Sequence, residues 1–392
     1  MFQVLSDDGS CKQAVSGILV DRIVDGKSAN TVNTGPYRKA RQRLPLKELK
    51  AAATASGLRL HNQALTAWRW KGHNIVLTDG ATVQMPDTAE NPADFPQLDS
   101  QKPSLGFPIA RMVVLISLSA GTVLDYSLGA YQGKGTVEIS LLSQLFGSLS
   151  VGDLLMADRY YCTFAIIALL QAREIPALFP IHAQKKVDFR LGVRLGARDH
   201  LINWMKPKRK PVWMSKQEYS DLPESITVRE FSVNGRIYVT TLLNAKIFYK
   251  QELAMLYKQR WKIELDFRSI KTNMGMEMLL CKTPDMVRKE IAVHLLAYNI
   301  IRGNLTQAAS LHEKIPRQLS FRSTVQLIIQ ASKQIIGLNG NRLISALQEL
   351  LKAMASTAIG RQKRKSQPRA VKRRPKPFPL LTAPRNEAGL RV

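Results

Sequence analysis

Apolar positions change their period along this chain, and each change marks a different kind of element. Up to about residue 70 they recur at helical intervals in short pieces. A helix is predicted over 45–55, with Pro45 at its first position and Gly57 as its stop. From Asn74 the pattern becomes strand-like. Ile75, Val76 and Leu77, then Val83 and Met85, predict two short strands around an Asp79-Gly80 turn. Segments 109–119 and 123–128 predict two more, turning at Ala120-Gly121. A helix over 138–149, a buried strand over 154–157, a buried helix over 162–172 and a strand over 177–181 follow.

That order of strands and helices is that of a mixed-sheet α/β layer architecture. Asp158 ends a central strand, where ligands gather in open α/β sheets. An aspartate there is equally an ordinary helix N-cap. Residues 182–245 break the alternation with charges, glycine turns and alternating strands over 226–233 and 236–243, a β-rich insertion. Beyond it the chain predicts helices over 284–307, 316–336 and 341–355. Val293, Leu296, Ala297 and Ile300 form the stripe expected to pack on the sheet.

The run from Tyr257 to Lys271 contains no Pro or Gly and predicts one uninterrupted helix. At about 3.6 residues per turn, Tyr257, Arg260, Glu264, Arg268 and Lys271 return to one face. Two readings fit. One is a solvated helix laced with i,i+4 ion pairs. The other is a metal-binding carboxylate flanked by cations that grip phosphate oxygens.

Charge favours a polyanion as partner. The 392 residues carry 57 Lys+Arg against 30 Asp+Glu, a net +27, which points first to nucleic acid and second to an acidic membrane surface. No apolar run is long enough to span a bilayer, and no signal peptide opens the chain, so a cytoplasmic, nucleoid-associated protein is expected. Cys11, Cys162 and Cys281 form no Cys-x-x-Cys pair, which argues against a disulfide framework or zinc site. His294, in an apolar helix, reads as a satisfied core residue. The segment 361–376 has nine basic residues and no acidic one, and is expected to bind phosphates without sequence choice.

The spacing Tyr-x2-Arg-x3-Glu-x6-Lys over 257–271 resembles, without a mismatch, the signature of bacterial insertion-sequence DDE transposases of the YREK type (insertion-sequence family four). Three other stretches carry the same resemblance. Leu77-Thr78-Asp79-Gly80-Ala81-Thr82, followed by Asp87-Thr88-Ala89-Glu90-Asn91, is similar to the context of the family's first catalytic aspartate. Asp158-Arg159 after an apolar strand is similar to its second. Tyr37, Ala40 and Arg41 are similar to a Tyr-x-x-Ala-Arg segment upstream of the catalytic domain. Relatives carry more sequence ahead of that point, so a region recognising transposon ends is expected to be short here.

The resemblance implies a ribonuclease-H-like mixed sheet flanked by helices, with the β-rich insertion before the last catalytic helix and a helical C-terminal region. It implies an N-terminal DNA-contacting region over 1–70 and a catalytic domain over 71–181 and 246–310. The insertion spans 182–245, C-terminal helices 311–360 and a basic tail 361–392. Asp79, Asp158 and Glu264 would be the catalytic carboxylates, holding two Mg²⁺ ions for which Mn²⁺ substitutes; Asp87, Asp125 and Asp153 are rivals. Arg260 and Lys271 would clamp phosphates, Tyr257 would donate a hydrogen bond to one, and Arg159 and Arg268 would add contacts. Relatives hold a flipped base on an aromatic side chain of the insertion; Trp213 and Tyr238 are the candidates. The implied partners are double-stranded DNA, at transposon ends and target, and a second copy of the chain. Two alternatives stand: a non-catalytic or decayed nucleic-acid-binding protein, and a nuclease of the same fold without strand transfer.

Overall fold

Val76, Val114, Leu115, Leu154 and Leu155 are fully buried, and strands this apolar need cover on both faces. Helices on either side of one nine-stranded sheet supply it in the computed structural model. The structure describes residues 2–359, apart from 6–8, 29–30, 100–101, 103–104, 134–135 and 336. The predicted basic stretch over 361–376 lies outside the described residues.

Four helices come first: α1 (Phe2–Leu5), α2 (Cys11–Val24), α3 (Gly35–Arg43) and α4 (Leu46–Asn62). Pro45 is the N-cap of α4 rather than its first residue, and Gly57 lies in its interior rather than at its end. A Cβ on Gly57 would stand 1.8 Å from the Val123 carbonyl oxygen. The glycine marks a close approach of helix to strand, not a stop.

β1 (Asn74–Gln84) is a single strand, not the two predicted. Asp79 and Gly80 sit mid-strand, opposite Val114 and Val113 of β2 (Ile109–Ser117), and pairing continues to Gln84. The polar dip that looked like a turn is a partly buried stretch of one strand, between buried Thr78 and buried Val83. After α5 (Asn91–Asp94), β2 and β3 (Val123–Ala130) complete an antiparallel meander. α6 (Glu138–Ser143) leads to β4 (Asp153–Met156), which runs parallel to β1. α7 (Phe164–Gln171) crosses to β5 (Ala177–Pro180), parallel to β4. The order β3-β2-β1-β4-β5, three antiparallel strands and then two parallel, is the ribonuclease-H-like arrangement.

The stretch 182–245, expected as an insertion, holds β6 (Val193–Gly196), β7 (Asp199–Met205), α8 (Lys216–Ser220), β8 (Ser225–Val233) and β9 (Arg236–Thr240). These strands extend the central sheet, because β9 pairs with β5 through Phe179↔Val239. Buried Arg229 holds Asp199 through two bonds of 2.8 and 2.7 Å, and Trp204 donates to Glu230 at 2.7 Å. Each buried charge in that extension is therefore paired.

The C-terminal part comprises α9 (Lys250–Lys258), α10 (Lys262–Arg268), α11 (Pro284–Leu311), α12 (Phe321–Ile335) and α13 (Gly340–Ser356). The predicted stripe on α11 is corrected. Ala297 is buried, but Val293 and Leu296 are only partly so and Ile300 is 36% exposed. The inward face instead carries Ile291, Leu295 and Tyr298 together with the polar Asn299 and Arg302. Asn299 bonds both backbone groups of Val123, and Arg302 bonds Asp266, so their burial depends on partners that apolar periodicity cannot show. His294 is buried with its ring bonded to the Glu290 carbonyl, as expected of a core histidine. Among the described residues no helix is long and apolar enough to cross a membrane.

Candidate active site

Ile75 and Leu77 point to the face of the sheet covered by α9, α10 and α11, and Asp79 continues that face by strand alternation. β1 and β4 are in register through Leu77↔Met156. Asp79 and Asp158 each lie two residues beyond that last pair; Asp158 lines the same groove as Arg260, which in turn bonds Asp79. β4 ends at Met156, and Asp158 then caps a short 3₁₀ turn, Arg159–Tyr161, its carboxylate accepting from the Tyr160 N–H at 3.4 Å. Asp158 is thus both a cap and a group at a carboxyl strand end.

The predicted continuous helix is corrected in its geometry. α9 tightens into a 3₁₀ turn at Gln259–Trp261, resumes as α10 and widens into a π turn at Ser269–Asn273. The tight and wide turns change which side chains share a face. Arg260 is turned to the sheet, with Nη1 2.9 Å from Asp79 Oδ2 and Nη2 3.7 Å from Glu264 Oε1. The Glu264 side chain stays 64% exposed; Arg268 is exposed and Lys271 half-buried. Tyr257 is buried, and its hydroxyl donates to the Ala157 carbonyl at 3.1 Å. The hydroxyl expected on a phosphate is thus engaged with the residue before Asp158.

Beside these groups opens a groove of about 800 Å³ bordered by Asp158, Arg159, Lys185, Arg236, Lys258 and Arg260. Trp261, 52% exposed, adds an aromatic ring to the same wall. Burial raises the Asp79 carboxyl above its ordinary range; Arg260 and the Gly80 N–H oppose this, and the charge of Glu138 adds to it. Burial lowers Lys185 to about 8, against the pull of Glu230; its ammonium lies 3.1 Å from the centroid of the Trp204 ring.

The two aromatic candidates of the insertion lie elsewhere. Tyr238 is 4% exposed, stacked on Phe231 at 5.3 Å and edge-on to Tyr257 at 5.4 Å, so it presents no open ring face to a base. Trp213 is half-buried against the core shared by α7 and β8 and does not line the groove. Of the rival carboxylates, Asp153 begins β4 and is bonded to buried His61 at 2.9 Å, while Asp125 meets Lys50 and Ser148.

Sequence reasoning missed Lys185, Arg236, Trp261 and Glu138. Only Trp261, inside the charged run, carried a local signal. The described residues contain no ready cluster of three His, Cys, Asp or Glu side chains that could hold a metal. The donors at this site are hard carboxylate oxygens, the kind that Mg²⁺ prefers, and the guanidinium of Arg260 supplies the positive charge between Asp79 and Glu264.

The family model for the transposase DDE domain matches residues 70–300. The chain is 27% identical over 360 residues to the transposase InsG for insertion sequence element IS4 of Escherichia coli (strain K12), covering 90% of this chain and 79% of that protein. A solved piggyBac transposase synaptic complex with hairpin DNA is 8% identical, with a TM-score of 0.42 over 70% of this chain and 57% of that one. The matched segment covers more than half of the chain and includes Asp79, Asp158 and the whole Tyr257–Lys271 run: this protein belongs to the family of transposases with a DDE domain.

Proposed function

We propose that this chain cuts DNA at the ends of an insertion sequence and joins the freed ends to a target, with Asp79, Asp158 and Glu264 as its catalytic carboxylates. One observation supports the reading: Arg260 contacts Asp79 on β1 and Glu264 on α10, and it lines one groove with Asp158. The three carboxylates would hold two Mg²⁺ ions, replaceable by Mn²⁺, which when bound activate a water and stabilise the departing oxygen.

The remaining work falls to the chain's own side chains. Arg260, released from Asp79, and Lys271 neutralise phosphate oxygens at the cut, the arginine in bidentate fashion. Arg159, Lys185, Arg236 and Lys258 attract the backbone along the groove, and the exposed Arg268 adds a contact on α10. Trp261 offers a ring on which a base can stack. Tyr257 holds the Ala157-Asp158 segment against the helix. The reaction is a hydrolysis that frees a 3′-hydroxyl, which then attacks a second strand. The helices up to residue 70 and the C-terminal tail add backbone contacts, and the chain works as a homodimer on paired ends.

Asp158→Asn and Glu264→Gln are expected to abolish strand cleavage while leaving salt-dependent DNA binding intact. Cleavage by either variant would reject the assignment. DNA binding by the wild type with no nicking in Mg²⁺ or Mn²⁺ would favour a non-catalytic binder. Cleavage with no joining in a strand-transfer assay would favour a nuclease.

A further inference from the structure

We propose that Glu138 is a positioning residue that sets the spacing of Asp79 and Asp158 from the opposite face of the sheet, and thereby how tightly the pair binds a divalent cation. The inference rests on the site reading above. It starts from a gap in the ladder. The β1–β4 pairing ends at Leu77↔Met156, so no ladder bond between these two strands fixes the aspartates that lie beyond it.

Glu138 bridges that gap. It is the first residue of α6, on the face covered by α6 and α7. Gly80 follows Asp79 and points to that face. A Cβ added at Gly80 would stand 2.4 Å from Glu138 Cδ and Oε1, so the carboxyl group rests directly against the strand. The Gly80 N–H in turn donates to Asp79 Oδ1 at 2.9 Å. On the other side, the hydroxyl of fully buried Tyr161 donates to Glu138 Oε2 at 3.0 Å. Tyr161 closes the 3₁₀ turn that Asp158 caps. One carboxylate therefore touches the residue after Asp79 and the residue three beyond Asp158.

Arg111 limits how far that carboxylate can swing. Its Nε lies 3.9 Å from Glu138 Oε1, and its guanidinium is stacked 4.5 Å from the centroid of Tyr131. The Glu138 side chain is 32% exposed, so it is not held there by burial. Its contacts are the geometric ones that set two metal-ligating segments at a fixed distance, the kind of outer support that conditions metal affinity.

Calorimetric Mn²⁺ binding to the DNA-free protein tests this, alongside the Mn²⁺ concentration giving half-maximal strand cleavage. Tyr161→Phe and Glu138→Ala are expected to weaken Mn²⁺ binding by about tenfold to hundredfold, the range for residues that orient metal ligands, and to shift the cleavage midpoint in step. Glu138→Gln keeps an acceptor for Tyr161 and the same bulk against Gly80. It is expected to stay within about threefold of wild type, less than one neutral hydrogen bond is worth. Wild-type Mn²⁺ binding in Tyr161→Phe and Glu138→Ala, with only a lower unfolding temperature, would overturn the proposal. So would a Glu138→Gln as damaged as Glu138→Ala, because charge rather than position would then be at work. Asp158→Asn separates the two levels. If it too binds Mn²⁺ normally, the site reading itself fails; if it alone loses Mn²⁺, only the role of Glu138 fails.

Discussion

Arg260 donates to Asp79 across 181 positions of sequence, at 2.9 Å, while its other terminal nitrogen lies 3.7 Å from Glu264. The two carboxylates already share one positive group. On the function proposed above, a divalent cation binding them would have to displace the guanidinium and so free it for a phosphate.

That competition makes a prediction with opposite signs in two assays. Arg260→Ala should bind Mn²⁺ more tightly than wild type in calorimetry, because nothing has to be displaced. It should cleave DNA roughly 100-fold more slowly, the cost of removing a preorganised charge aimed at the reacting group. The metal-free variant should also lose about 1–2 kcal/mol in urea denaturation, from a charged hydrogen bond that is partly solvated. Weaker Mn²⁺ binding in the variant would show that arginine and cation do not compete.

Two residues after Glu264, Asp266 is fully buried, with Tyr298, Arg302 and Arg317 donating to its Oδ1 at 2.9, 2.8 and 2.9 Å. Arg317 also donates to the Ser117 and Leu118 carbonyls at the end of β2. The network anchors α10 between α11 and the sheet. Asp266→Asn leaves two arginines facing a neutral group, and should cost about 3–5 kcal/mol of unfolding free energy. A loss below about 1 kcal/mol, the scale of a surface pair, would show that the anchor contributes little.

Gly57→Ala should destabilise the protein although it sits inside a helix. An exposed Gly→Ala change at a compatible position typically stabilises by about 0.4–1 kcal/mol. Here the new Cβ would meet the Val123 carbonyl at 1.8 Å, so α4 and β3 must separate, at a cost of about 1–3 kcal/mol. Thermal unfolding decides the sign.

Lys185 gives the stability a pH dependence. Its folded value, about 8, lies below the ordinary 10.5, so between those limits the unfolded chain binds more protons and this residue's contribution makes stability rise with pH. Below pH 8 the burial cost is fully present; above 10.5 the group is neutral in both states and the cost vanishes. Lys185→Met should therefore raise the unfolding temperature at pH 7, and the gain should shrink as pH rises through 8 towards 10.5. The same substitution should weaken DNA binding, because Lys185 lines the groove. A gain that does not vary with pH would mean that packing, not charge, is responsible.

Much of the element order was legible because it is written in local periodicity: the strands over 109–119 and 123–128, the strand ending near Asp158, the helices after Pro284. Misreadings occurred where a residue answers to something distant. Gly57 looked like a stop because its constraint, the Val123 carbonyl, is in another element. The outer stripe of α11 looked like its core face because Asn299 and Arg302 are buried by partners on β3 and α10. Tyr238 looked available for stacking because its two ring neighbours, Phe231 and Tyr257, come from different elements.

The chain by itself determined which residue types stand at which intervals: three aspartate and glutamate contexts, and a glutamate among cations within two turns of helix. Such information is local, since a periodic backbone converts spacing into direction. The tertiary structure decided what each group faces. Asp158 and Arg260 come to line one groove, the 3₁₀ turn at Gln259–Trp261 lies where Arg260 meets Asp79, and Gly80 leaves room for Glu138. Those outcomes depend on strand pairing and helix packing between segments far apart in the chain, whose energies no single stretch contains.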